Sequence, residues 1–145
     1  MDEDILYRKS FAVNGGDFDK GGEISTQIKA TLKAMGMENS LIRRVAIASF
    51  EAEMNVVIHA DEGTVDFCIT PEAILITFTD SGPGIGDIEL AMKEGYSTAT
   101  DEMREKGFGA GMGLPNIKKS VDDLKIESVA GKGTTIKLTI RYHEQ

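Results

Sequence analysis

The chain carries two glycine-rich stretches, DSGPGI at residues 80–85 and GFGAGMGL at residues 107–114. Glycines at these spacings let backbone N–H groups approach a ligand closely, and the second stretch leads into a helical pattern whose N-terminus would attract phosphates. Upstream, EAEMN at residues 51–55 places Glu51 and Asn55 four residues apart, which is one face of a helix. A carboxylate, an amide and two glycine-rich loops together indicate a site for ATP.

Each motif also has an ordinary structural interpretation. Glu51, Glu53 and Asn55 would make a solvated helix face, and Asp80 would open a simple turn after a strand. The second glycine stretch would be a loop without a ligand, since it matches neither a Walker A loop nor a Rossmann fingerprint. The presence of all three motifs in one short chain favours the nucleotide site.

Composition limits the class of protein. The 145 residues, 41% of them apolar, predict one domain over residues 1–145. The net charge of -8 disfavours a nucleic-acid partner and favours either a protein partner or simple solubility. The single cysteine cannot form an internal disulfide, no apolar run approaches the roughly 18 residues of a membrane span, and the acidic start does not resemble a secretory signal. We therefore expect a cytoplasmic protein without a membrane segment.

Apolar periodicity predicts an alternation of helices and strands. Helices are expected at residues 24–35, from 39 or 40 to about 60, at 87–94 and at 114–121, and strands at 7–13, 65–69, 74–78, 124–129 and 134–142, with Asp80 at the end of the third strand and a polar, mobile segment at 95–106. Gly36 is expected to end the first helix, and Asn39 or Ser40 to cap the second. Asp80 and Thr134 share the alternation of the apolar residues in their strands, so both are expected to point toward the helices.

The residue types assign roles within this site. The amide oxygen of Asn55 can serve as one ligand of Mg²⁺ while phosphate oxygens supply others. Glu51 can orient or deprotonate the attacking group, and a general base of this kind is worth roughly 100- to 10,000-fold in rate. Asp80 can accept the amino hydrogen of adenine. Gly82 and Gly84 allow the sharp turn that brings the base close to the backbone.

Four segments of the sequence resemble the motifs of one known superfamily. Taken in order, Glu51-x-x-x-Asn55, Asp80-x-Gly82-x-Gly84, Gly109-x-Gly111-x-Gly113 and Gly133-Thr134 look like the N, G1, G2 and terminal Gly-Thr elements of the GHKL, or Bergerat-fold, ATPases. The resemblance spans nearly the whole chain. It implies an α+β, two-layer sandwich in which a mixed, mainly antiparallel sheet is covered on one face by helices, with ATP between the layers beneath a mobile lid.

Two shorter segments narrow the resemblance. EGYST at residues 94–98 and GMGLPNIKK at residues 111–119 are similar to the anti-sigma-factor and switch serine/threonine kinases of bacterial partner-switching pathways. The roles that this resemblance implies are a catalytic base at Glu51, a magnesium ligand at Asn55, an adenine reader at Asp80 supported by Gly82 and Gly84, lid and phosphate contacts at Gly109, Gly111 and Gly113, and assistance at the adenine end by Thr134. The implied cofactors are ATP and Mg²⁺.

The resemblance implies a kinase that phosphorylates a small partner protein of the STAS class. Two alternatives stay open: a nucleotide-gated module that sequesters a sigma factor or another regulator without phosphoryl transfer, and an ATPase that drives a partner's conformational cycle. Related anti-sigma kinases commonly dimerise, so a homodimer is also expected. Residues 98–106 depart from the switch kinases, because this part of the lid is longer and more charged and is nearer to that of a histidine kinase.

Overall fold

The computed structural model describes residues 5–16, 20–60, 62–82, 113–129 and 131–142. Its elements are β1 (Tyr7–Asn14), α1 (Glu23–Ala34), α2 (Asn39–His59), β2 (Glu62–Ile69), β3 (Ala73–Asp80), α3 (Gly113–Ser120), β4 (Asp123–Val129) and β5 (Gly133–Arg141). The predicted helix at 87–94 and the predicted mobile segment at 95–106 lie outside the described residues. Within the described ranges, no helix combines the length and the apolar character needed to cross a membrane.

The five strands form one sheet in the order β1-β2-β3-β5-β4. Every pairing between these strands is antiparallel, and β1 lies at an edge of the sheet. A tight turn joins β2 to β3, where the hydroxyl oxygen of Thr70 accepts hydrogen bonds from the N–H groups of Glu72 and Ala73. The pairing of β3 with β5 places Asp80 directly opposite Thr134.

The hydrophobic core lies between the sheet and the helices. The inward positions of the central strands are almost fully buried, as the alternation predicts; they include Val65, Phe67, Ile69, Ile74, Ile76, Phe78, Ile136, Leu138 and Ile140. Among the described helices, α2 is the middle one, since it packs against both α1 and α3 and also meets the sheet. The predicted α+β, two-layer architecture is confirmed.

The ends of the helices show where local sequence rules succeed. Gly36 adopts a φ of 76° and ends α1, with its N–H bonded to the carbonyl of Lys33 and the N–H of Met37 bonded to the carbonyl of Leu32. These two bonds form a Schellman motif, which satisfies carbonyl groups that the helix leaves open. Helix α3 begins at Gly113, one residue before the predicted start, and Pro115 lies in its first turn, where proline is favourable.

The predicted cap of α2 is wrong. Asn39 is already the first helical residue, and the N-cap position belongs to Glu38, whose backbone is extended and whose side chain makes no capping hydrogen bond. The carbonyl of Glu38 accepts the N–H of Ile42, so the helix begins one residue earlier than a cap at Asn39 would allow.

Candidate functional site

Helix α2 presents different residues to its two neighbours. Glu51 and Asn55 are half-buried, and Glu51 lies beside α3, where the side-chain amide of Asn116 donates a hydrogen bond of 3.4 Å to its Oε2. Asn55 follows by four residues and therefore shares this face. The two predicted motif residues of α2 thus lie on the flank of the helix that faces α3.

The carboxylate of Asp80 is held by backbone donors from two segments. Its Oδ1 accepts hydrogen bonds from the N–H of Gly82 at 2.9 Å and from the N–H of Thr134 at 3.2 Å. Asp80 is half-buried, whereas Thr134 is buried, with its hydroxyl 3.1 Å from that of Ser128. The sequence prediction that Asp80 and Thr134 turn inward is confirmed, and the two residues are in direct contact.

Asp80 lies close to the last turns of α2. A Cβ atom on Gly63, which pairs with Asp80, would lie 2.9 Å from the Val56 side chain and 3.3 Å from the Cβ of Asp80. Burial lowers the pKa of His59, and the negative charge of Asp80 partly opposes that shift. Both observations place Asp80 beside residues 56–59, one turn beyond Asn55.

Two glycines permit this crowding around Asp80. A Cβ on Gly82 would lie 2.9 Å from the carbonyl oxygen of His59, and a Cβ on Gly133 would lie only 2.0 Å from the carbonyl oxygen of Asp80. Gly133 also has a φ of 140°, a backbone conformation that side chains rarely allow. The Gly82 turn therefore seats the end of β3 against the end of α2.

The predicted site residues fall into four groups. The N–H groups of Gly82 and Thr134 both donate to Asp80, and Glu51 and Asn55 lie on the preceding turns of the helix that packs beside it. Gly113 is the first residue of α3. Gly84, Gly109 and Gly111 lie outside the described residues.

Sequence reasoning missed Glu53. Its side chain is buried, and its two oxygens accept hydrogen bonds from the N–H groups of Gly22 at 3.0 Å, Ile24 at 3.3 Å and Ser25 at 3.0 Å. The interpretation of residues 51–55 as a solvated face is wrong for Glu53, which closes the N-terminus of α1. Its spacing of four from Ser49 and Val57, both buried, is the local signal that could have indicated this.

Asn116 was missed for a different reason. It follows Gly113 by three residues, and nothing in its immediate sequence indicates a partner in α2, 65 residues away. Only the packing of α3 against α2 brings its amide to Glu51.

The residues of α2 are suited to supply one ligand of a metal ion whose other ligands are phosphates and waters. The described part of the chain contains no group of three or more histidine, cysteine, aspartate or glutamate residues that would hold a metal by itself. The half-buried amide of Asn55 offers one oxygen, which fits Mg²⁺ because this ion retains waters and takes further ligands from phosphates.

Comparison with known proteins places this geometry in a family. Residues 41–144 match the model for the family described as "Histidine kinase-, DNA gyrase B-, and HSP90-like ATPase". The chain belongs to this family. The matched segment runs from the first turn of α2 to three residues beyond the end of β5 and so contains every predicted site residue.

Two relatives and one solved structure are similar to this chain. An anti-sigma F factor of Caldanaerobacter subterraneus subsp. tengcongensis is 36% identical over 103 residues, 68% of this chain and 68% of the relative. The serine/threonine-protein kinase RsbT of Bacillus subtilis is 33% identical over 97 residues, 64% of this chain and 67% of the kinase. The crystal structure of the RsbU and RsbW domains of Rv1364c from Mycobacterium tuberculosis superposes with a TM-score of 0.61 at 16% identity, covering 94% of this chain and 33% of that one.

These matches confirm the family and the fold. The likeness to the mycobacterial structure concerns the fold alone, since the identity is low and this chain spans one third of that protein. The relatives named as an anti-sigma factor and as a protein kinase confirm the similarity to partner-switching proteins that the sequence motifs predict.

Proposed function

We propose that this chain is a Mg-ATP-dependent serine/threonine protein kinase of the switch-kinase type, which phosphorylates a small STAS-like partner. The observation that carries the proposal is Glu51, a half-buried carboxylate on the same helix face as Asn55 in a segment that matches an ATPase family. The similarity to the RsbT kinase supports protein phosphorylation as the reaction.

Asp80 is assigned to adenine recognition. Two backbone N–H groups donate to its Oδ1, so the carboxylate has a defined orientation. A carboxylate accepts hydrogen bonds, and adenine offers an amino hydrogen in return. Gly82 and Gly84 are assigned to the support of the base, and Thr134 is assigned to assist at this end of the site.

The phosphates are assigned to the glycine stretch and to α3. Gly113 begins α3, so the first N–H groups of this helix and the backbone around Gly109 and Gly111 would bind the phosphate chain. Asn55 would bind Mg²⁺ through its amide oxygen. The bound ion would neutralise charge on the phosphate oxygens during transfer.

Glu51 is assigned to proton removal. The hydroxyl oxygen of a serine or threonine of the partner attacks the γ-phosphorus, and its proton passes to the carboxylate of Glu51 as the new P–O bond forms. The bond between the γ-phosphorus and the β,γ-bridging oxygen breaks, which leaves ADP. Most of the rate enhancement in such transfers comes from alignment and charge stabilisation, and the base adds to it.

Phosphate transfer tests the proposal directly. The full chain is incubated with γ-labelled Mg-ATP and a lysate of the source cell, with the Glu51→Gln protein alongside. We expect a single labelled band with acid-stable phosphate that is absent with the variant, since glutamine cannot take up the proton. Absence of any band, with ATP binding confirmed calorimetrically on the same sample, would reject the kinase assignment.

The adenine assignment has its own test. Asp80→Asn replaces an acceptor oxygen by an amino group, and loss of a hydrogen bond to a charged group corresponds to roughly 10- to 100-fold in affinity for ATP. Calorimetric titration with Mg-ATP measures this change. Asp66→Asn is the matched control, because Asp66 pairs with Arg8 on β1 and lies away from the site. Equal affinities of the two variants would remove Asp80 from the site.

The similarity to anti-sigma F factors supports one alternative function. In this alternative, ATP alters the affinity for a sigma factor or another regulator without productive transfer. Glu51→Gln separates the two functions, because it should abolish transfer by a kinase and leave partner binding by a gated module largely unchanged.

A further inference from the structure

The amide of Asn116 joins two parts of the site that are distant in sequence. Asn116 lies in the second turn of α3, three residues after Gly113, and is half-buried. Its Nδ2 donates to Oε2 of Glu51 at 3.4 Å across 65 residues of sequence. The helix that follows the glycine stretch therefore contacts the candidate base directly.

The position of this amide is set by the fold. Leu114 and Ile117, on either side of Asn116, are buried in the core. At the other end of the helix, the guanidinium of Arg44 from α2 donates to the carbonyl of Ser120 at 3.0 Å and pairs with Asp122 at 3.0 Å. Helix α3 is thus fixed on α2 at both ends of the segment that carries Asn116.

We propose that Asn116 is a positioning residue that holds the carboxylate of Glu51 in its reactive orientation, an inference that rests on the proposed role of Glu51 as base. A half-exposed glutamate has several accessible rotamers, and a hydrogen bond from a fixed donor reduces their number. The donor on Oε2 leaves Oε1 to accept the proton of the substrate. An amide suits this task because it carries no charge at any ordinary pH.

The hydrogen bond is long, at 3.4 Å. Catalytic hydrogen bonds often shorten only when the reacting complex has assembled. Since α3 also carries Gly113 at its start, phosphate binding at this helix would act on Asn116 and Glu51 through one rigid element.

A thermodynamic cycle tests the contact without reference to catalysis. Asn116→Asp is made in the wild-type chain and in the Glu51→Gln chain, and urea unfolding is measured for all four proteins. In the wild-type chain, where the substitution opposes two carboxylates, we expect the unfolding equilibrium constant to rise by about 10-fold. In the Glu51→Gln chain it should rise by less than about 2-fold, because the amide introduced by that variant can donate to the new carboxylate. The added charge also interacts with the dipole of α3, but this effect is the same in both backgrounds and cancels when they are compared. If Asn116→Asp has the same effect on unfolding in both backgrounds, Asn116 and Glu51 do not interact.

Steady-state kinetics test the role. Release of labelled phosphate from γ-labelled Mg-ATP by the full chain is followed, with water as the acceptor. Asn116→Ala and Asn116→Asp are expected to lower kcat by about 10-fold or more while KM for ATP changes by less than about 3-fold, because the positioning acts in the transition state and not in binding. Asn116→Gln retains a donor and should recover part of the rate.

The matched control is Asn39→Asp, the same substitution at the exposed first residue of α2, which should leave kcat unchanged. An unchanged kcat in Asn116→Asp, or a raised KM with an unchanged kcat, would overturn the positioning role and leave the proposed kinase function intact. If wild type and Glu51→Gln release phosphate at equal rates, Glu51 is not the base, and both the proposed function and this inference fall.

Discussion

Two glutamates on α2, only two residues apart, have opposite surroundings. Glu53 is buried against α1 and accepts three backbone hydrogen bonds of 3.0 to 3.3 Å. Glu51 is half-buried on the α3 flank and receives one bond of 3.4 Å from Asn116. A carboxylate engaged by three fixed donors has little capacity left for a substrate, whereas a lightly held carboxylate can exchange partners. The side of α2 that faces α1 therefore stabilises the fold, and the side that faces α3 carries the candidate catalytic residue.

The largest expected effect is on the rate of phosphate transfer, which should differ strongly between substitutions on the two sides of α2. Glu51→Gln is expected to lower the rate of phosphate transfer by roughly 100- to 10,000-fold, the usual range for loss of a general base. Glu53→Gln should leave the rate per folded molecule within about 3-fold of wild type, since Glu53 faces α1. Single-turnover measurement at saturating Mg-ATP compares the two variants. A similar loss of rate in both would show that the two sides of α2 do not have separate roles.

The free energy of unfolding should depend more on Glu53 than on Glu51. Glu53→Gln keeps the size of the side chain but turns an amino group toward buried N–H donors, so we expect a loss of about 2 kcal/mol in the free energy of unfolding. Glu51→Gln should change this free energy by less than about 0.5 kcal/mol, because the site is half-exposed. Urea unfolding midpoints with a common m-value measure both. An unchanged midpoint in Glu53→Gln would mean that the closure of α1 by Glu53 contributes little.

The smallest effect concerns the end of the α3 flank farthest from Glu51, where Asp122 joins α2 to β5. Burial raises the pKa of Asp122, but hydrogen bonds from the N–H of Arg141 and the side chain of Arg44, together with their positive charges, outweigh it and hold the pKa below its ordinary value of 3.8. Because the folded pKa is lower than the unfolded one, the ionised carboxylate stabilises the fold above about pH 4, and this contribution is lost as the pH falls through the folded pKa.

Asp122→Asn should therefore lower the free energy of unfolding at pH 7 by a few tenths of a kcal/mol and at most about 1 kcal/mol, since the ion pair is partly exposed and screened. The difference from wild type should shrink when urea unfolding is repeated near pH 3. A difference of equal size at both pH values would assign the effect to packing and not to charge.

Most of the helices and strands could be predicted from local sequence patterns, because each of them depends on residues that are close together in the chain. Alternation predicted the strands, the spacing of Ile24, Ile28 and Leu32 predicted α1, and Gly36 predicted its end, since each depends on neighbours within about four residues. The same alternation placed Asp80 and Thr134 on the helix side, where the structure finds them bonded. The cap at Asn39 failed because a capping residue type does not by itself fix the first residue of a helix.

The sequence by itself determined the family motifs, the α+β class and the face of the sheet on which Asp80 lies, because these depend on residue type and period. Only the tertiary structure decided the burial of Glu53, the contact of Asn116 with Glu51 and the approach of Gly133 to the carbonyl of Asp80. The hydrogen bonds of Glu53 and of Asn116 with Glu51 join residues 28 to 65 positions apart. Such contacts exist only once the helices have packed against one another and against the sheet, and no pattern within a single helix or strand encodes them.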